Sequence, residues 1–150
     1  MKPSVLLATI LVLGFLISAC GGAPAASASD ASPQPSAVVD KASLIAALQS
    51  AGATVEVGEP VSQPIFSVEG NTIKVNGADV QVFEYESSEQ MELESSQIAP
   101  DGGSNATTMI TWMDTPHFYK AGNLIVLYVG QDETVLSLLE KALGTQFAGG

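Results

Sequence analysis

Asp114 and His117 are the only acid and imidazole close together in the chain, in the run Asp114-Thr115-Pro116-His117. A carboxylate that orients an imidazole is the first half of a general-base device. A hydrolase built on that pair would still need a nucleophile. No Gly-x-Ser-x-Gly elbow surrounds any Ser, so the nucleophile would be a Ser or Thr from elsewhere. The bland alternative is that Asp114-Thr115-Pro116 turns the chain and His117 opens a strand as a half-buried polar residue. With one His and one Cys in 150 residues, a zinc site of imidazoles or thiolates lacks ligands, and no intrachain disulfide can form. This inventory assigns no catalytic residue and no metal ligand, and it points to a protein that is not an enzyme. A small hydrolase using Asp114 and His117 is the rival reading.

Two other groupings could bind. Trp112, His117, Phe118 and Tyr119 concentrate aromatic side chains beside Met109 and Met113, and such residues favour partner contacts when exposed. They form the candidate binding surface. The competing reading is a half-buried strand, with Ile110 and Trp112 on one side and Thr111 and Met113 on the other, which would put Trp112 in the core. Glu84, Glu86, Glu89, Glu92 and Glu94, with the polar loop from Asp101 to Asn105, could present oxygens to a divalent cation. Their spacing matches no EF-hand, and carboxylates at these offsets fan over a solvated helix face.

Charge excludes a further class. Asp and Glu number 16 against 5 Lys and Arg, all five of them Lys (Lys2, Lys41, Lys74, Lys120 and Lys141), for a net charge of −11. No basic stripe exists to neutralise phosphates, so nucleic acid is excluded as a partner. The glycines form neither a dinucleotide fingerprint nor a P-loop, so no cofactor is expected beyond a covalent lipid.

The lipid expectation comes from the N-terminus. Lys2 precedes an apolar run from Val5 to Ala19 that stops at Cys20-Gly21-Gly22. That is the layout of a secretory signal, and the run is shorter than the roughly 20 apolar residues a spanning helix needs. Ile17-Ser18-Ala19-Cys20 resembles the bacterial lipoprotein lipobox. The resemblance implies cleavage before Cys20 and a diacylglycerol on its sulfur, leaving an extracytoplasmic protein anchored to a bacterial membrane. With the Ala/Ser/Pro stretch that follows, and the segments Val61–Tyr85, Thr115–Tyr119 and Leu124–Gly130, the chain is similar to small lipoproteins of bacterial genomes. That similarity speaks to location and brings no activity or site residues. The expected partners are the membrane, through the anchor, and an envelope protein or small ligand.

These features divide the chain into a signal peptide over 1–19, a lipidated Cys and disordered tether over 20–39, and one domain over 40–150. The tether's reach is roughly 25 Å for a flexible chain. Asp40 or Ser43 caps a helix carrying Leu44, Ala47, Leu48 and Ala51, and Gly52 ends it. Strands are predicted at Thr54–Val57, Ile65–Val68, Thr72–Val75 and Asp79–Tyr85, with Asn76-Gly77 as a hairpin turn. Ser87 and Gln90 open a helix to about Ile98. Strands follow at Thr107–Met113, Pro116–Lys120 and Leu124–Val129, the last apolar without alternation and therefore central, and Gln131 or Asp132 caps a final helix to Gly144. The fold class is α+β, helices packed on an antiparallel sheet in the approximate order α-β-β-β-α-β-β-β-α. A 45-residue shift lays Val80 on Ile125, Val82 on Leu127, Phe83 on Tyr128 and Ser87 on Asp132. This ββα quasi-repeat reflects either a duplication or hairpins and caps using similar residues.

Overall fold

The structure, a computed structural model, describes residues 37–150. Cys20 and the signal lie outside them. Helix α1 (Lys41–Ser50) begins where Asp40 turns its carboxylate onto the Ser43 amide at 2.8 Å, and the Ser43 hydroxyl accepts in return from the Asp40 amide at 3.0 Å. The reciprocal pair satisfies two backbone donors that a helix N-terminus otherwise leaves open. The Ser43 hydroxyl and amide hold the Asp40 carboxyl below its ordinary value. Its contribution is therefore present above the ordinary carboxylate range and is lost as pH falls through the depressed value. Denaturation over an acid pH series should show Asp40→Asn, which can still cap, with a flatter pH dependence than the native chain. Equal slopes would dismiss the carboxylate's role.

Five of the six strands are β1 (Val55–Val61), β2 (Gly70–Val75), β3 (Ala78–Glu84), β4 (Pro116–Ala121) and β5 (Leu124–Val129). With the two-residue β6 (Ala148–Gly149), they form one antiparallel sheet in the order β1-β2-β3-β5-β4-β6. Asn76 and Gly77 both take positive φ, 51° and 89°, between the closing pair Val75 and Ala78. Two positive φ values match the right-handed twist of the flanking strands, which is why Asn-Gly suits this turn. Gly58 and Pro60 confine β1 to the sheet edge, where its register slips between Val57 and Pro60.

Alternation splits the strands into two apolar faces. Ile73, Val75, Val80, Val82, Tyr119, Leu124, Val126 and Tyr128 meet Leu44 and Leu48 of α1 and Val135, Leu138 and Leu139 of α3 (Glu133–Leu143). Phe83, Phe118, Ile125 and Leu127 meet Met91 of α2 (Ser88–Ser95), together with Ile65, Phe66, Ile98 and Ala148. Strand β5 thus has a covered side in both directions, and each large side chain buried there contributes about 1.5–3 kcal/mol. Both cores lie between Val38 and Ala148, so the described residues carry the whole of both. Packing also reaches back to Val38, and the Val39 carbonyl accepts from the Asn123 amide at 3.1 Å, two residues into the stretch that composition assigns to the tether.

Two strand expectations differ from the structure. Ile65–Val68 and Thr107–Met113 are not strands; Ile65, Phe66, Val68, Ile110 and Trp112 fold over the second face from irregular chain. The edge of β4 not paired with β5 is taken by β6, whose two residues carry no periodic signal. The ββα order does recur, as β2-β3-α2 and β4-β5-α3, but the residues that the 45-residue shift superposes change faces. Val80 and Val82 lie in the first core and Ile125 and Leu127 in the second, while Phe83 and Tyr128 cross the other way. Neighbouring antiparallel hairpins related by a two-fold axis would keep their faces, so the echo comes from shared turn and cap chemistry.

Candidate functional site

The structure separates the acid from the imidazole. Asp114 is exposed, and its carboxylate accepts from the Gln131 side-chain amide and the Thr115 N–H, both at 2.7 Å. Those two bonds, the Gln131 one first, hold its carboxyl below the usual range, with a smaller contribution from the charge of His117. His117 is buried, and its Nδ1 lies 2.7 Å from Gln146 Oε1. Because the Gln146 amide nitrogen donates to the Gly149 carbonyl, its oxygen must accept, so Nδ1 carries the proton. The ring stacks near Tyr128, and Nε2 is buried without a partner. His117 therefore fastens the C-terminal strand, and the hydrolase geometry of Asp114 on His117 is not assembled.

The aromatic grouping is divided as well. Phe118 is buried in the second core, among the rings of Phe66, Trp112 and Phe147, while Tyr119 is buried in the first. Trp112 is half-buried, its indole N–H donating to the Gly102 carbonyl at 2.8 Å. Of that segment's large apolar side chains only Met109 and Met113, 90 % and 102 % exposed, face solvent. The four residues do not make one surface.

Carboxylates of the acidic cluster are spent on different neighbours. Glu92 pairs with Lys120, while Glu94 accepts from the Ser67 amide at 2.6 Å and the Ser67 hydroxyl at 2.9 Å. The Asp101 and Asn105 side-chain oxygens accept from the amides of Gly103, Thr107 and Thr108, closing the loop on itself. Among the described residues no group of three or more His, Cys, Asp or Glu side chains could hold a metal ion.

What the fold does assemble is a groove of about 450 Å³ against α2, a volume suited to a small ligand. Gln90, Leu93 and Glu94, at the i, i+3, i+4 spacing of one face of α2, form one wall with Gln97 from the turn that follows. Ser67 and Val68 form the other, with Tyr85 and Glu86 between. Asn123 fixes Tyr85, accepting from its amide at 2.9 Å and donating its side-chain amide to its carbonyl at 2.6 Å. Tyr85 is 3 % exposed, and its buried hydroxyl faces the Glu94 carboxylate. Burial, and after it the nearby Glu94 carboxylate, push the phenol well above its ordinary range, so it stays neutral. The groove escapes a reading by motif because its walls come from three separated segments. One local signal was present: Leu93 is 68 % exposed, an apolar residue outside the stripe of Met91, Ser95 and Ile98 on an otherwise Glu-rich helix.

No known protein family, curated protein or solved structure matches the chain.

Proposed function

We propose that the protein is an extracytoplasmic lipoprotein working as a non-catalytic binding module, held to a bacterial membrane by acyl chains on Cys20 and offering the α2 groove to a small envelope ligand. The groove, walled by α2 on one side and Ser67 and Val68 on the other, is the observation that carries this reading. It is supported by the lipobox and tether, and by the separate engagement of Asp114 and His117 with glutamine amides. The described chain enters the domain at the turn between β4 and β5, where Val39 bonds Asn123 and Asn123 in turn bonds Tyr85. A ligand in the groove would sit close to the tether's attachment.

Protein extracted from its native membrane should carry a small molecule in non-denaturing mass spectrometry that leaves on unfolding. Gln90→Trp, which covers the groove from its exposed α2 wall, should remove that mass. A native chain without a bound species, or a variant that keeps it, contradicts the proposal.

A further inference from the structure

We infer that the outer edge of β1 takes an extended protein segment as a further antiparallel strand, one that carries a Lys or Arg between two apolar residues. The edge is open by topology. β1 stands first in the sheet order, so among the described residues β2 is the one strand paired with it. The Asn76 amide donates to the Thr54 carbonyl at 2.8 Å, which turns the backbone of Thr54 and, two residues on, of Glu56 toward β2. Val55 and Val57 therefore point their amides and carbonyls away from the sheet, ready for another strand. The Ala53 amide is spent on the Leu48 carbonyl and Pro60 has no N–H, so the open stretch is bounded at both ends. It lies apart from the α2 groove, none of whose lining residues belongs to β1.

Side chains set the partner's pattern. Glu56, Lys74 and Asp79 stand opposite one another across β1, β2 and β3. Lys74 pairs with Asp79 at 2.6 Å, and Glu56 ends the row in no ion pair among the described residues. The row alternates in sign, and its next place, on a strand added to β1, calls for a cation. On that side Glu56 would belong to a non-hydrogen-bonded pair, the closer antiparallel pairing, where opposite charges stabilise and like charges destabilise. Val57 pairs with Ile73 of the first core and so shares its face, yet it is 67 % exposed, and an apolar residue opposite would cover it. The same charge argues against a second copy as the occupant. In the antiparallel register that joins Val55 to Val57 of a second copy, each Glu56 meets the other. A net charge of −11 adds repulsion between copies and attraction for a basic segment.

The test uses the full chain in detergent, amide NMR and three disulfide-closed hairpin peptides, whose preformed strand lowers the ordering cost of binding. Their outer strands read Thr-Val-Lys-Val-Thr, the same with Glu for Lys, and the Lys form N-methylated on both valines. The Lys form should shift the Val55 and Val57 amides saturably and slow their hydrogen exchange. It should bind about tenfold more tightly than the Glu form, with the gap shrinking as salt rises, and the N-methylated form should be silent. Glu56→Gln should narrow the gap to about threefold or less. Val57→Pro, which removes an outward amide and no bond to β2, should abolish binding, with an unchanged Leu127 amide shift reporting an intact fold. Equal binding of the Lys and Glu forms would overturn the partner's charge pattern, and a silent Lys form would remove the site. Full affinity in a folded Val57→Pro chain would place the contact elsewhere and end the proposal. Val55 and Val57 amides whose protection in the free chain grows with protein concentration would put a second copy on the edge and end it too.

Discussion

Replacing Phe118 by Ala is expected to cost about 3–5 kcal/mol, which lowers the melting temperature of a domain this size by on the order of 15 °C or more. The side chain is fully buried on the second face of the sheet, at the meeting point of three aromatic rings. Trp112 and Phe66 present edges to it at centroid distances of 5.9 and 6.4 Å, and Phe147 lies at 6.1 Å. Gly102 closes over the ring so tightly that a Cβ there would come within 2.7 Å of it. Irregular chain supplies much of the cover on this face, and such chain keeps its position only through the side chains beneath it. Truncation therefore loses the transfer energy of the ring, leaves a cavity, and loosens the loop over it. Phe118→Leu should retain most of the stability, at a cost of about 1.5 kcal/mol or less. Met113→Ala, a few residues away and fully exposed, should stay within about 0.5 kcal/mol of the native chain. Chemical denaturation of the three variants decides between core and surface. If Phe118→Ala unfolded within 1 kcal/mol of the native chain, Phe118 would belong to a ligand-facing surface after all.

The same residue shows where the sequence speaks and where it falls silent. Phe118 and Tyr119 are adjacent in a strand, so they must point to opposite faces, and they could share one binding surface only if the strand were not part of a covered sheet. That it is covered follows from β5, where Leu124-Ile125-Val126-Leu127-Tyr128-Val129 has no polar side to turn to water. Asn76-Gly77, the capping residues Asp40, Ser87 and Asp132, and the spacing of Val135, Leu138 and Leu139 were equally legible, because turns, caps and amphipathic faces are short-range devices. Thr107–Met113 misled because alternation records that every second side chain is buried and does not say whether the backbone has a strand to pair with. Here the backbone closes locally, with Ile110 donating to the Gly103 carbonyl, and β6 takes the β4 edge. The groove needed the most distant information of all. Ser67, Tyr85 and Glu94 meet only after α2 and the 62–69 segment dock on the same face, and no pattern within any one of them encodes that meeting.

Cys20→Ser should empty the membrane fraction of mature protein by more than tenfold, or stop processing and leave the precursor intact. The expectation follows from what else could hold the chain to a bilayer. No helix among the described residues is long and apolar enough to cross a membrane. The exposed apolar side chains Met109 and Met113 stand on a loop at the sheet end opposite the one where Val39 enters, about 20 Å away for a six-residue strand. A net charge of −11 makes approach to an anionic leaflet unfavourable, so electrostatics cannot substitute for lipid. Each acyl CH₂ buried in the bilayer contributes about 0.8 kcal/mol, and two chains retain a protein stably where one does not. Fractionation with intact-mass measurement separates the outcomes. The native chain should begin at residue 20 with added acyl mass and resist high salt, since its attachment is apolar. A Cys20→Ser chain that is cut before residue 20 and still sediments with membranes would show that something other than the thioether holds it, and the anchored reading would fall while the groove and its chemistry stood untouched.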